Sequence, residues 1–95
     1  MNKYELTLVL PGKSTGAKVK TTTASLEKTL SAIKGKILKT EEWGTLELSF
    51  KIKGNDSGVF VYFDLELDES GAIKLRDKLR TEDGLLRYLL VRNKD

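Results

Sequence analysis

Tyr4, Leu6, Leu8 and Leu10 alternate with Glu5, Thr7 and Val9, a period of two that predicts a half-buried strand ended by Pro11-Gly12. Ser14 or Thr15 then offers an N-cap for a helix whose apolar stripe is Val19, Leu26, Leu30 and Ile33, with Gly35 as its C-terminal stop. The β-branched run Thr21-Thr22-Thr23 has low helix propensity, so the pattern favours helix over residues 25–34 more than over the turns before them.

Residues 36–52 are rich in strand formers, broken only by Glu41-Glu42-Trp43-Gly44. Seventeen residues in one straight strand would span about 56 Å at roughly 3.3 Å each. A globule of this chain length has a radius of gyration of only about 12 Å. The strand must therefore bend, bulge or protrude, and Gly44, with Trp43 beside it, is the expected place. Residues 54–58 read as a turn cluster. Val59, Val61, Phe63, Leu65 and Leu67 then mark a strand, and Asp68 caps a helix carrying Ala72, Leu75 and Leu79 on one face. After the Thr81-Glu82-Asp83-Gly84 turn, residues 85–91 are apolar almost throughout, which predicts a central or well-covered last strand.

The order strand, helix, strand, strand, helix, strand in one domain over residues 1–95 defines an α+β class. It predicts the ferredoxin-like (βαββαβ) architecture, a four-stranded antiparallel sheet with two helices on one face. If Tyr4, Leu6, Leu8, Val59, Val61, Phe63, Leu65, Leu86, Tyr88 and Leu90 face the helices, period two sends Glu5, Thr7, Val9, Phe60, Tyr62, Arg87, Leu89 and Val91 to the open face. Two aromatics with an arginine on that face form a candidate platform for stacking bases or anchoring a protein, against the plainer alternative that they only shield the sheet.

Composition narrows the chemistry. The chain has no cysteine and no histidine, which removes disulfides, thiolate chemistry, zinc fingers and the commonest general base. Ninety-five residues leave little room for a deep cofactor site, so no cofactor and no small-molecule substrate are expected. The net charge of +3 is mild and uneven: +4 over residues 1–35, 0 over 36–58 and −1 over 59–95. Such a balance permits a nucleic-acid partner without requiring one. The chain contains no apolar run near the roughly 20 residues of a membrane span, and Met1-Asn2-Lys3 leads straight into the first strand, so the expectation is a cytoplasmic protein with no membrane partner.

Three motifs invite catalytic readings and fail on spacing. Gly12-Lys13-Ser14-Thr15 resembles the second half of a phosphate loop, but Thr7 stands where the first glycine belongs. Glu41-Glu42, Asp64 with Glu66, and Asp68-Glu69 lack the alternating oxygen ligands of a calcium loop, and no metal site or catalytic residue is assigned to them. An acylphosphatase-like hydrolase would need an arginine in the loop after strand one, where this chain has Pro11 through Gly16 without one. A small ferredoxin-like regulatory or ligand-binding module remains as an alternative, since outward apolar residues allow sheet-mediated dimerisation. Lys51, Lys53, Arg87, Arg92 and Lys94 end or flank strands, where long cations reach phosphates. Trp43, at the bend of an overlong strand, is open to two readings, core filler or partner anchor.

Several segments together carry a family likeness: Tyr4-Glu5-Leu6, Val9-Leu10, Glu41-Glu42-Trp43-Gly44, the run Leu48-Ser49-Phe50-Lys51-Ile52-Lys53-Gly54, Gly58, and Leu86-Arg87-Tyr88-Leu89-Leu90-Val91. In this pattern the chain resembles the bacterial small-subunit (30S) ribosomal protein six family over residues 3–92. The resemblance implies a non-enzymatic ribosomal component that binds small-subunit ribosomal RNA together with ribosomal protein eighteen and supports subunit assembly and translation. It also implies candidate RNA-binding residues Arg87, Lys51, Lys53, Arg92 and Lys3, and candidate partner-binding residues Trp43, Phe60, Tyr62 and Glu5. The likeness is incomplete: family members usually carry basic residues just after the Gly44 position, where this chain has Thr45-Leu46-Glu47, and Phe50 replaces the usual tyrosine.

Overall fold

The computed structural model describes residues 2–82 and 84–93. The elements run β1 (Asn2–Pro11), α1 (Gly16–Ala32), β2 (Lys36–Ile52), β3 (Asn55–Leu67), α2 (Glu69–Arg80) and β4 (Arg87–Arg92). The strands form one antiparallel sheet in the order β2-β3-β1-β4. This is the ferredoxin-like βαββαβ arrangement that the patterning predicts.

Period two decides what lies beneath the helices. Tyr4, Leu6, Leu8 and Leu10 of β1 and Val59, Val61, Phe63, Leu65 and Leu67 of β3 form one buried cluster with Val19, Leu26 and Leu30 of α1 and Ala72, Leu75 and Leu79 of α2. Phe63, Leu6, Leu10, Leu65, Leu67 and Leu75 have no exposed surface, and each such side chain contributes about 1.5–3 kcal/mol of burial free energy. Asp68 caps α2 by accepting the Gly71 backbone N–H at 2.7 Å. That bond, and one from the Ser70 hydroxyl, hold the Asp68 carboxyl below the usual carboxylate range.

The first helix is longer than its propensities predict. Thr15 is the N-cap, accepting the Lys18 N–H, and helix continues through the threonine run. The hydroxyls of Thr21, Thr22 and Thr23 donate to the carbonyls of Ala17, Lys18 and Val19 at 2.9, 2.9 and 3.0 Å. These local bonds satisfy the hydroxyls within the helix, and burial of Val19 and Leu26 on the stripe offsets the β-branched penalty. The helix ends in a Schellman motif: Lys34 N–H donates to Ser31 O and Gly35 N–H to Leu30 O at 2.7 Å. Lys34, not Gly35, adopts the left-handed conformation, with φ +61. Gly35 is required for closeness instead, because a Cβ there would lie 3.0 Å from Leu30 Cδ2 and 3.3 Å from Leu67 Cβ.

The overlong strand resolves as expected in kind. The longest dimension of the molecule is 37 Å, well short of a straight 17-residue strand. Register shifts at Leu38 and Trp43 bend β2, and Gly44 takes φ +81 beside the second bulge. A third irregularity, between Glu47 and Ile52, lies in an arm that β2 and β3 form together.

Three sequence-based expectations are corrected here. Residues 54–58 are not a turn cluster: the turn is Lys53-Gly54 alone, with both φ positive (+49 and +79) as in a two-residue type I′ hairpin, and Asn55 to Gly58 belong to β3. The small polar residues follow from the arm's exposure to water on both faces. The last strand is neither central nor well covered: β4 is an edge strand, with Leu89 61% and Val91 46% exposed, because β3 rather than β4 completes the centre beside β1. Leu86 does not face the helices. Its N–H bonds Val9 O one residue out of step with the Val9–Arg87 pair, and this slip places Leu85 in the core cluster instead. Asp83 and Lys94, named in the sequence reading, lie outside the described residues. No described helix is long and apolar enough to cross a membrane.

Candidate functional site

The open face is set by the same alternation that fills the core. Cross-strand register places its side chains in rows: Lys39, Asp64, Glu5 and Val91; then Glu41, Tyr62, Thr7 and Leu89; then Gly44, Phe60, Val9 and Arg87. The predicted partner-binding residues Trp43, Phe60, Tyr62 and Glu5 thus come together on one surface. The bulge at Trp43 brings the indole over the sheet, where it stacks on Tyr62 with ring centroids 5.3 Å apart and planes 8° from parallel. Trp43 remains 48% exposed, so it is not a core filler.

Polar contacts fix this stack. Trp43 Nε1–H donates to Glu41 Oε2 at 3.2 Å, and Lys39 Nζ lies 3.1 Å from Glu41 Oε1. Hydrogen bonds from Lys39 and Trp43 hold the Glu41 carboxyl below its usual range. The Tyr62 hydroxyl donates to Asp64 Oδ1 at 2.6 Å. That bond, with burial and the nearby charges of Asp64 and Glu5, pushes the phenol above its ordinary value, so Tyr62 stays a neutral donor. Asp64 lies on this face as its parity with Tyr62 predicts, whereas Lys39 and Glu41 were missed, because the β2 bulges hide their alignment from simple alternation.

The arm partly roofs the same face. Val9 points outward as predicted, yet it is buried, and Leu48 packs alongside: a Cβ on Gly58 would meet Val9 Cγ1 at 2.6 Å and Leu48 Cδ2 at 3.6 Å. Lys53 Nζ donates to Leu85 O at 3.2 Å and ties the hairpin tip to the segment before β4. This contact brings Lys53 and Arg87 to one end of the sheet. Lys51, close by on the arm, pairs with Asp56 at 3.8 Å with both side chains more than 70% exposed, a contact too wet to engage it firmly.

The five predicted RNA-binding cations do not form one cluster. Lys3 lies six residues from Val9 along β1, about 20 Å away at 3.3 Å per residue. Arg92 pairs with Tyr4, so it shares the parity of the helix-facing positions, and it donates to Asn2 Oδ1 at 3.0 Å. Lys53, Lys51 and Arg87 form the basic end, while Lys3 and Arg92 stand at the other. On the helix side, the cavity between α1 and α2 is only about 130 Å³, with Leu26, Leu75, Lys18 and Lys78 among its walls. Small-molecule pockets commonly reach several hundred Å³.

Fold and face together define a class: a ferredoxin-like domain whose chemistry-bearing side chains lie on an open sheet rather than in a cleft. Comparison with known proteins makes the assignment specific. The family described as Ribosomal protein S6 matches residues 3–92, and the chain belongs to that family, whose members are structural proteins of the small ribosomal subunit rather than enzymes. Among its relatives, the small ribosomal subunit protein bS6 of Pelagibacter ubique is 35% identical over 98 residues, spanning 99% of this chain and 78% of the relative. The bS6 protein of Corynebacterium aurimucosum is 30% identical over 95 residues, covering 97% and 96% of the two chains. The crystal structure of 30S ribosomal protein S6 from Thermotoga maritima superposes with a TM-score of 0.88 over 97% of this chain and 87% of that one, at 19% identity, and so supports the fold.

Proposed function

We propose that this chain binds small-subunit ribosomal RNA together with ribosomal protein eighteen, and so supports subunit assembly and translation. Family membership supports the ribosomal context. The observation that carries the division of labour is the open face itself, apolar and aromatic at its middle and cationic at one end.

In this reading the protein partner covers the Trp43–Tyr62 stack, Phe60 and Glu5, along with exposed Leu89 and Val91. Tryptophan and tyrosine rings that neighbouring contacts can shield from water are the usual anchors of such contacts. Arg87, Lys51 and Lys53 meet the RNA phosphates, and Lys3 and Arg92 contribute from the far end through a second, separate contact. With net charge +3 and only a few placed cations, RNA affinity of the isolated chain is weak and rises when the partner shares the interface.

The test is binding of the purified chain to the central domain of small-subunit ribosomal RNA, with and without ribosomal protein eighteen, across a salt series. Saturable, salt-sensitive binding that tightens with the partner is expected. Absence of such binding in both conditions would refute the proposal. Arg87→Ala should weaken the complex and reduce the salt slope by about one; an unchanged slope removes Arg87 from the RNA contact.

A further inference from the structure

The β2–β3 arm carries an aromatic ring with nothing of its own chain to cover it. Phe50 is 83% exposed, the most exposed large hydrophobic side chain among the described residues. It lies three residues before Lys53, on a stretch where Glu47, Ser49, Phe50 and Lys51 are all exposed and only Leu48 turns partly inward. A phenylalanine left in water forgoes a burial term that every core residue of this protein collects.

We propose that Phe50 is a stacking site for an unpaired nucleobase, which makes the arm the part of the chain that engages single-stranded RNA. The inference rests on the RNA-binding reading above and goes beyond phosphate contact. Two observations select a base as the occupant. First, the arm around it is polar and wet: Ser49 and Lys51 flank Phe50 in sequence, Glu47 and Asp56 lie on the same arm, and all four are exposed. A protein anchor needs a rim of contacts that excludes water, whereas a base needs only one flat face. Second, cations for the attached sugar–phosphate chain are at hand. Lys51 follows Phe50 directly, Lys53 forms the turn, and the Lys53–Leu85 hydrogen bond holds that turn two residues from Arg87. Across this end the basic groups Lys51, Lys53 and Arg87 outnumber the acidic Glu47 and Asp56 by one, and the exposed 3.8 Å contact with Asp56 leaves Lys51 available. The Trp43–Tyr62 surface differs in kind, since its two rings stack on each other at 5.3 Å and leave neither isolated as Phe50 is. A phenyl ring offers no hydrogen-bonding group, so the stack tolerates any base.

The experiment compares wild type, Phe50→Ala, Phe50→Leu and Phe50→Trp in binding to two probes, the ribosomal RNA central domain and an oligoadenylate, each across a salt series. Both Ala and Leu should weaken binding about 5- to 100-fold, because leucine keeps the apolar bulk and loses the π face. Trp should restore it, and the salt slope should stay at the wild-type value in all four. Urea midpoints should match, because the side chain is not packed. Wild-type affinity in Phe50→Ala, or in Phe50→Leu, would overturn the inference while leaving RNA binding intact. So would a fall in salt slope like that of Arg87→Ala, or a loss confined to ribosomal protein eighteen. If wild type itself binds neither probe, with or without ribosomal protein eighteen, the RNA reading fails and this inference fails with it.

Discussion

The C-terminus of α1 offers a sharp test of how local conformation and packing divide between two neighbouring residues. Lys34 sits at φ +61, where a side chain costs about 1–2 kcal/mol through contact between Cβ and the following carbonyl. Glycine removes that strain but adds about 0.4–1 kcal/mol of backbone freedom to the unfolded chain. Lys34→Ala keeps the strain and loses the charge, so comparing Lys34→Gly with Lys34→Ala cancels the loss of the lysine. The glycine variant should be more stable by about 1 kcal/mol, or about 4–8 °C in melting temperature for a domain of this size. Gly35→Ala should act in the opposite direction. Its new methyl group would stand 3.0 Å from Leu30 Cδ2 and 3.3 Å from Leu67 Cβ, both on fully packed residues. Overpacking of that kind costs about 1–3 kcal/mol. Urea unfolding followed by circular dichroism reads all three variants, with an unchanged m-value as the condition for comparing midpoints. Equal stability of Lys34→Gly and Lys34→Ala, or a Gly35→Ala protein as stable as wild type, would refute the assignment of strain to Lys34 and close packing to Gly35.

Trp43→Ala should lower stability modestly, by about 1–2 kcal/mol, because the half-exposed ring loses its stack on Tyr62 and little core contact; it should weaken ribosomal protein eighteen at least tenfold in a pull-down titration. A large stability loss with unchanged partner affinity would reverse the assignment. Gly58→Ala should destabilise by about 1–3 kcal/mol in urea titrations, since its Cβ would stand 2.6 Å from Val9 Cγ1. Asp68 has a folded-state carboxyl held below its unfolded value, so its contribution is complete above pH of about 4 and is lost as pH falls through the lower folded value. Asp68→Asn should keep a capping oxygen and show a shallower acid-side loss of stability than wild type, measured as urea midpoint against pH; identical profiles would exclude Asp68 as a source of that loss.

Alternation along β1 and β3 was enough to name the core and the open face, because a strand's side chains have only two directions and one of them is buried here. The Asp68 cap, the α2 stripe and the bend at Trp43-Gly44 were legible for similarly local reasons. Family likeness was also carried by the sequence alone. Tertiary structure decided the rest. The apolar run of β4 has one pattern whether the strand is central or at an edge, and only pairing across the sheet places it outside β1. Whether Thr21 to Thr23 form helix depended on Val19 and Leu26, on either side of them, finding buried sites against the sheet. Trp43 was ambiguous by pattern because a bulge changes side-chain direction without changing composition, and only the Tyr62 ring beneath it and the water above define it as surface. The grouping of Lys53 with Arg87, and their separation from Lys3 and Arg92, likewise follows from the curl of the arm and the Lys53–Leu85 bond, a contact between residues 32 apart in sequence. Local pattern records which side of an element is dry; which elements meet, and which cations therefore act together, is a property of contacts that no short window of sequence contains.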